Sequence, residues 1–289
     1  MKITFLGTGC PEPSLRRASS GYMVEVGDET LLFDVGGGVF DRLLQAGKMP
    51  SDVDRLFLTH LHSDHMMDYA RLVHAGWDEG KGLLGTKALQ VYGPAPTATV
   101  HDRLFGEQGA FAFDLAARVG NPGSQEVWVD RGGSLPRPGI QVDLTEIDPG
   151  FSMETAQWSL TSCMVPHADP FLMCLAFRLD DKINGTSLVY SGDAGYSDAL
   201  AHMSANCDLL VHWCYRTAQD TANAYIASLS PHPGDIGRMA QSQGVKRVAL
   251  THLRTNMDTD DQHDAMIASA KAEFDGEVFI AEDLMTLSL

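Results

Sequence analysis

The chain has 289 residues, 44% of them hydrophobic and 20% charged, which is enough apolar content for a sizeable core and too ordinary for a disordered or fibrous protein. Its formal charge of −17 argues against nucleic acid and acidic membranes as main partners, because such a surface repels polyanions at long range. Bound cations would make a local field of their own. In chain order, residues 2–6 read as a strand and Gly7–Ser19 as a loop punctuated by Pro11 and Pro13. That opening apolar stretch is too short for a signal-peptide core, and no run is long enough to span a bilayer. Residues 21–26 and 30–34 read as a hairpin around Gly27-Asp28, and 39–44 as a helix stopped by Gly47. A strand at 55–58 runs into a histidine cluster, and another at 89–92 closes at Gly93-Pro94.

Residues 94–140 read as an irregular insert, dense in glycine, with Phe105, Phe111, Phe113 and Trp128 set to line an apolar pocket or a homodimer contact. Trp77 is a further pocket candidate. Strands are expected at 140–147, 157–165, 172–179, 187–191, 208–212 and 247–250, helices at 234–243 and 259–273, and a closing strand at 277–281. Strands alternating with helices predict an α/β protein, here one domain over 1–289. The cysteines (Cys10, Cys163, Cys174, Cys207, Cys214) are odd in number and form no CxxC, which fits reduced thiols in a cytoplasmic protein.

The chemistry concentrates in His60-Leu61-His62-Ser63-Asp64-His65. In an extended segment His60 and His62 point the same way, and a turn then brings Asp64 and His65 to a neighbouring position. Imidazole and carboxylate are ligands for zinc, iron or manganese. Four ligands in one loop do not fill two coordination spheres. His167, Asp193 and His252 each follow an apolar strand and can supply the rest. The segments Arg55–Leu61 and Arg247–Leu253 echo one another, each placing a Thr-His pair just past a buried strand. Strand ends are where polar groups converge in α/β folds.

Phe5-Leu6-Gly7-Thr8-Gly9, Leu32-Phe33-Asp34-Val35-Gly36, the HxHxDH loop, Ser191-Gly192-Asp193 and Thr251-His252 together resemble the metallo-β-lactamase superfamily. Within it they are similar to the ribonuclease Z and arylsulfatase-like branch. The resemblance implies a four-layer αββα sandwich with two divalent metal ions at one edge. By it, His60, His62 and His167 hold one ion, Asp64, His65 and His252 the other, and Asp193 bridges them. Zinc is the expected metal, with manganese or iron as alternatives, and Asp34 is a structural hydrogen-bonder. The implied reaction is hydrolysis of a phosphodiester, sulfate ester or lactone by a metal-bridged hydroxide, with Asp64 orienting it. A mononuclear-iron sulfur dioxygenase and a non-catalytic metal or ligand carrier are the alternatives.

In the ribonuclease branch a Glu and a second His handle the leaving group's proton. Here Trp213 stands at the first position and Ser230 at the second, with His232 two residues on as a displaced general acid or an ordinary loop histidine. The branch's basic arm has no recognisable counterpart. The expected substrate is therefore a small anionic or aryl ester, and Arg254 is either an anion contact or a solvated loop residue.

Overall fold

The structure, a computed structural model, describes residues 1–81, 85–217, 220 and 223–289. The first sheet is built from β1 (Lys2–Gly7), β2 (Gly21–Val26), β3 (Glu29–Phe33), β4 (Arg55–Phe57), β5 (Leu89–Gly93) and β6 (Val142–Glu146). The second holds β7 (Ser152–Glu154), β8 (Trp158–Met164), β9 (Leu175–Asp181), β10 (Thr186–Tyr190), β11 (Leu209–Trp213), β12 (Arg247–Thr251) and β13 (Glu277–Ile280). The chain then returns to the first sheet as β14 (Thr286–Ser288), giving the orders β14-β1-β2-β3-β4-β5-β6 and β13-β12-β11-β10-β9-β8-β7. Both sheets are mixed: β1–β2 and β2–β3 pair antiparallel and β3 to β6 parallel, while β9–β10 pairs antiparallel and β10 to β13 parallel.

Period-two alternation explains the layering. Leu31 and Phe33 of β3, Leu188 and Tyr190 of β10, and Leu209 and Val211 of β11 face a core shared by the two sheets. Their neighbours Leu32, Val189 and Leu210 turn outward and are buried under helices instead. A strand covered on both faces must be apolar on both, so these segments read as continuous hydrophobic runs. The outer layer on the first sheet includes α1 (Val39–Gln45), the short α2 (Ser63–Met66) and α3 (Tyr69–Asp78).

Residues 94–140 are more regular than the sequence suggests, holding α4 (Thr97–Phe105), α5 (Ala112–Gly120) and α6 (Pro122–Asp130). Of their aromatic residues, Phe111 and Phe113 line a groove with His74 and Arg118, Phe105 borders a second cavity and Trp128 a third. Phe105 and Phe111 stack at 5.9 Å, Trp128 is buried, and Phe113 is exposed. Trp77 instead is buried: its Nε1–H donates to the Pro138 carbonyl, and the Arg137 guanidinium lies 3.8 Å over its ring and 4.7 Å over Trp128. Arg137 also meets Asp78 at 3.1 Å, so this cluster fastens the insert to the end of α3.

On the far side α7 (Asp198–Met203), α8 (Ala224–Leu229), α9 (Pro233–Ser242) and α10 (Asp260–Lys271) complete the fourth layer. Their starts follow local chemistry: Ser197, Asn223 and Thr259 accept backbone N–H bonds as N-caps, and Pro233 occupies the first turn of α9. Among the described residues no helix is long and apolar enough to cross a membrane.

Candidate metal centre

The seven ligand-type residues named from the sequence meet at one edge of the sandwich, where strands of both sheets end. His60, His62 and His167 form one group, and Asp64, His65, Asp193 and His252 another, the ligand-capable atoms in each within 4.8 Å of one another. Strand geometry delivers them. β4 leads to His60, β8 to His167, β10 to Asp193 and β12 to His252, while α2 turns Asp64 and His65 inward.

Two glycines are required by this packing. A Cβ on Gly36 would lie 2.0 Å from the Asp64 carbonyl oxygen, so only glycine lets that strand end pass the ligand loop. Gly192 adopts φ +56, and a Cβ there would meet the Leu175 carbonyl at 2.8 Å. Asp34 and His252 adopt positive φ (57° and 62°) without being glycine, a strained conformation that surrounding bonds must hold.

In the first group, His60 Nε2 and His167 Nε2 lie 3.0 and 3.3 Å from His62 Nδ1. In the second, Asp64 Oδ2 is 3.1 Å from His252 Nε2, and Asp193 places Oδ1 3.4 Å from His65 and Oδ2 3.2 Å from His252. Asp193 Oδ2 is also 3.7 Å from His167 Nε2, so this carboxylate faces both groups. Behind them Asp34, fully buried, accepts from the Thr59 N–H and hydroxyl, from His65 Nδ1 and from the Tyr190 hydroxyl, each at 2.7–2.8 Å. This is the structural bonding expected of Asp34.

Electrostatics follow from burial and proximity. Burial, helped by His65, pushes His60 well below the ordinary imidazole range, leaving it neutral and able to donate a lone pair. Burial opposes charge on His65 too, but Asp193 and Asp34 overcome it and raise its pKa. Asp193 is held ionised against burial by His252 and His65. The set of imidazole and carboxylate donors suits a divalent cation. Buried Asp193 Oδ1 and His65 Nε2 have no hydrogen-bond partner among the described residues, and both point into the cluster.

The other candidates are placed differently. His232 is the N-cap of α9: Nδ1 accepts the Gly234 N–H at 3.0 Å and Nε2 lies 3.4 Å from Asp235, so both nitrogens serve its own helix. Ser230 is buried and its hydroxyl lacks a partner among the described residues. Arg254 pairs with Asp220 at 2.6 Å and covers the Tyr215 ring at 5.2 Å, which takes it out of the role of a free anion contact. Trp213 stands edge-on to both His167 and His252. Tyr215, on the same side of the chain, stacks near Trp213 at 5.9 Å and lies 6.0 Å from His252. Sequence reasoning missed Tyr215; the signal was its spacing of two from Trp213, which puts both on one face of an extended segment.

The model of the Metallo-beta-lactamase superfamily matches residues 15–152. A protein named Ribonuclease Z from Mycolicibacterium gilvum is 28% identical over 291 residues, covering 98% of this chain and 94% of the relative. Among solved structures, the metallo-beta-lactamase fold protein YhfI from Bacillus subtilis superposes with a TM-score of 0.74 at 24% identity, covering 99% of this chain and 98% of the other. Human tRNase Z, short form, gives a TM-score of 0.68 at 21% identity, covering 100% and 99%. The relatives named Ribonuclease Z overturn the expectation that the acidic balance argues against nucleic acid. Net charge describes the long-range field of the whole surface, whereas a site for divalent cations sets its own field locally. Residues 15–152 thus resemble the Metallo-beta-lactamase superfamily, the chain is similar along nearly its whole length to relatives named Ribonuclease Z, and its His/Asp cluster is a candidate divalent-metal site.

Proposed function

We propose that the chain is a dinuclear metal-dependent phosphodiesterase acting on RNA, and that the convergence of seven ligand-type side chains from both sheets is the observation that carries this reading. In it, His60, His62 and His167 would hold one ion and Asp64, His65 and His252 the other, with Asp193 facing both groups and zinc foremost among the candidate metals. When bound, two such ions activate water at neutral pH and neutralise charge on the attacked phosphoryl group. The chain's own residues do the remaining work. Asp34 fixes the His65 ring so that Nε2 faces the cluster. The Asp64 carboxylate, held ionised against burial by His252, is the acceptor that orients the attacking water. Trp213 and Tyr215 wall the site beside His167 and His252.

With His232 engaged as a helix cap, Tyr215, whose ring lies beside His252, is the residue we assign to serve the leaving oxygen. Its phenol stays protonated, since burial and the neighbouring Cys10 and Glu12 push its pKa up. Five free thiols, four of them buried, support a cytoplasmic setting.

The test is hydrolysis by the zinc-loaded chain of an RNA stem with a 3′ extension and of bis(p-nitrophenyl) phosphate, beside chromogenic sulfate and carboxylate esters. The expected result is cleavage of both phosphodiesters by loaded protein and of neither after chelation. Faster turnover of the sulfate or carboxylate esters, with intact RNA, would overturn the reading.

A further inference from the structure

The core between the two sheets contains a pair of tyrosines with polar tips in apolar surroundings. Tyr22 on β2 and Tyr190 on β10 are both buried, with ring centroids 4.6 Å apart and planes tilted by 58°. Each hydroxyl crosses to the opposite sheet. Tyr190 donates to Asp34 Oδ2 at 2.7 Å, and the Tyr22 hydroxyl meets Thr251 Oγ1 at 2.8 Å. A phenylalanine would give these positions nearly the same apolar volume without a buried hydroxyl to satisfy. The bonds therefore need a reason beyond filling the core.

Their far ends supply it. Asp34 Oδ2 is 2.8 Å from His65 Nδ1, which fixes the ring with Nε2 turned toward Asp64 and Asp193. Thr251 precedes His252, whose backbone stands at φ 62. The strand bearing Tyr190 runs on through Ser191 and Gly192 to Asp193. Three members of the second group thus depend directly on the tyrosine pair: His65 through Asp34, Asp193 through β10, and His252 through Thr251. In the first group only His60 is linked, at one remove, through the Thr59 hydroxyl that touches both Asp34 and His60 Nδ1.

We propose that Tyr22 and Tyr190 are positioning residues, a reciprocal pair of cross-sheet struts that set the geometry of the Asp64–His65–Asp193–His252 group and so the affinity of the ion it takes. Each strut starts in one sheet and ends at the support of a ligand in the other, so the two sheets cannot slide past each other without spoiling this group. Burial raises the pKa of both phenols, which keeps them protonated. The inference rests on the two-ion reading given above.

The experiment is a stepwise zinc titration of metal-free wild type, Asp64→Asn, Tyr190→Phe, Tyr22→Phe and the double tyrosine variant against a chelating dye, with the melting temperature of each metal-free protein recorded. The step that Asp64→Asn abolishes is the one this group supplies, and it is expected to be about 10–100-fold weaker in each single tyrosine variant, the range typical of lost outer-shell partners. The other step should stay close to wild type. Two unchanged steps would overturn the inference. So would parallel weakening of both steps with a lowered metal-free melting temperature, since that would mark the hydroxyls as general core bonds. Wild type taking up a single ion overturns the two-ion reading itself and is seen from the wild-type titration alone.

Discussion

The Trp213 indole meets the His167 imidazole edge to face, with ring centroids 5.1 Å apart and planes at 83°. The same indole lies 5.6 Å from His252, and its Nε1–H is tied to the Ala194 carbonyl. One side chain therefore buttresses a histidine from each ligand group, at the position where the ribonuclease branch was expected to carry a proton-handling Glu.

Removing that buttress should loosen both histidines. Trp213→Ala is expected to cost about 10–100-fold in phosphodiester turnover, with zinc binding weakened alongside. Trp213→Phe keeps an aromatic edge beside His167 and should retain most of the activity. Measuring kcat and bound zinc on both variants checks this; full activity in Trp213→Ala would remove Trp213 from the site's support.

The leaving-group role divides Tyr215 from His232. Tyr215→Phe should leave p-nitrophenyl substrates nearly unaffected and slow diesters with alkoxide leaving groups by about 10²-fold or more, the lower range for a positioned acid. His232→Ala should instead cost about 1 kcal/mol of stability through the lost α9 cap, with no dependence on leaving group. A plot of log kcat against leaving-group pKa for wild type and both variants checks the assignment. A selective loss in His232→Ala would return the role to His232.

His212 makes stability depend on pH. It is fully enclosed, with Nδ1 2.8 Å from the Trp213 carbonyl, and burial lowers its pKa to about 4. In the unfolded chain the ordinary value is about 6.5. Between those limits the unfolded state binds the extra proton, so stability is full above about pH 6.5 and falls as pH drops toward about 4. The loss attributable to this group is on the order of 3 kcal/mol. Urea unfolding of metal-free wild type and His212→Gln at several pH values should show a shallower decline in the variant; parallel curves would refute it.

Metal removal should destabilise as well as inactivate. A ligand at about 100 times its dissociation constant adds about 2.7 kcal/mol to the folded state per site. Calorimetry before and after chelation should show a clear drop in Tm, reversed by zinc. An unchanged Tm on full metal removal would argue that the cluster does not bind tightly.

Much of this site is legible in the sequence, for a physical reason. HxHxDH packs ligand-type residues too densely for a structural turn, and His167, Asp193 and His252 each sit just past an apolar strand, where α/β folds gather polar groups. The helices at 97–130 were hidden because their glycines read as disorder of pattern. Gly106 caps α4 and Gly120 ends α5, so the glycines are punctuation between short helices. Trp77 looked like a pocket residue because it follows the ligand loop, but helical periodicity turns it to the buried face of α3. Tyr22 and Tyr190 could not be found locally, since their partners Thr251 and Asp34 belong to opposite sheets. The net charge misled because it averages over the whole surface, whereas a cation site sets its own field locally.

The wide scatter of the ligands along the chain has a consequence for how the protein matures. His60, His62, Asp64 and His65 lie within one loop, while His167, Asp193 and His252 arrive only when the second sheet is built. Before that sheet forms, the loop already carries four ligand-type side chains close together. Excess zinc present during refolding should therefore be captured early by the unfinished chain, and binding to the unfolded state offsets part of the stabilisation that the ion gives the folded one. Non-local pairing is slow to form, so premature capture has time to occur. Recovery of active protein should thus be higher when zinc is added after refolding than when it is present throughout.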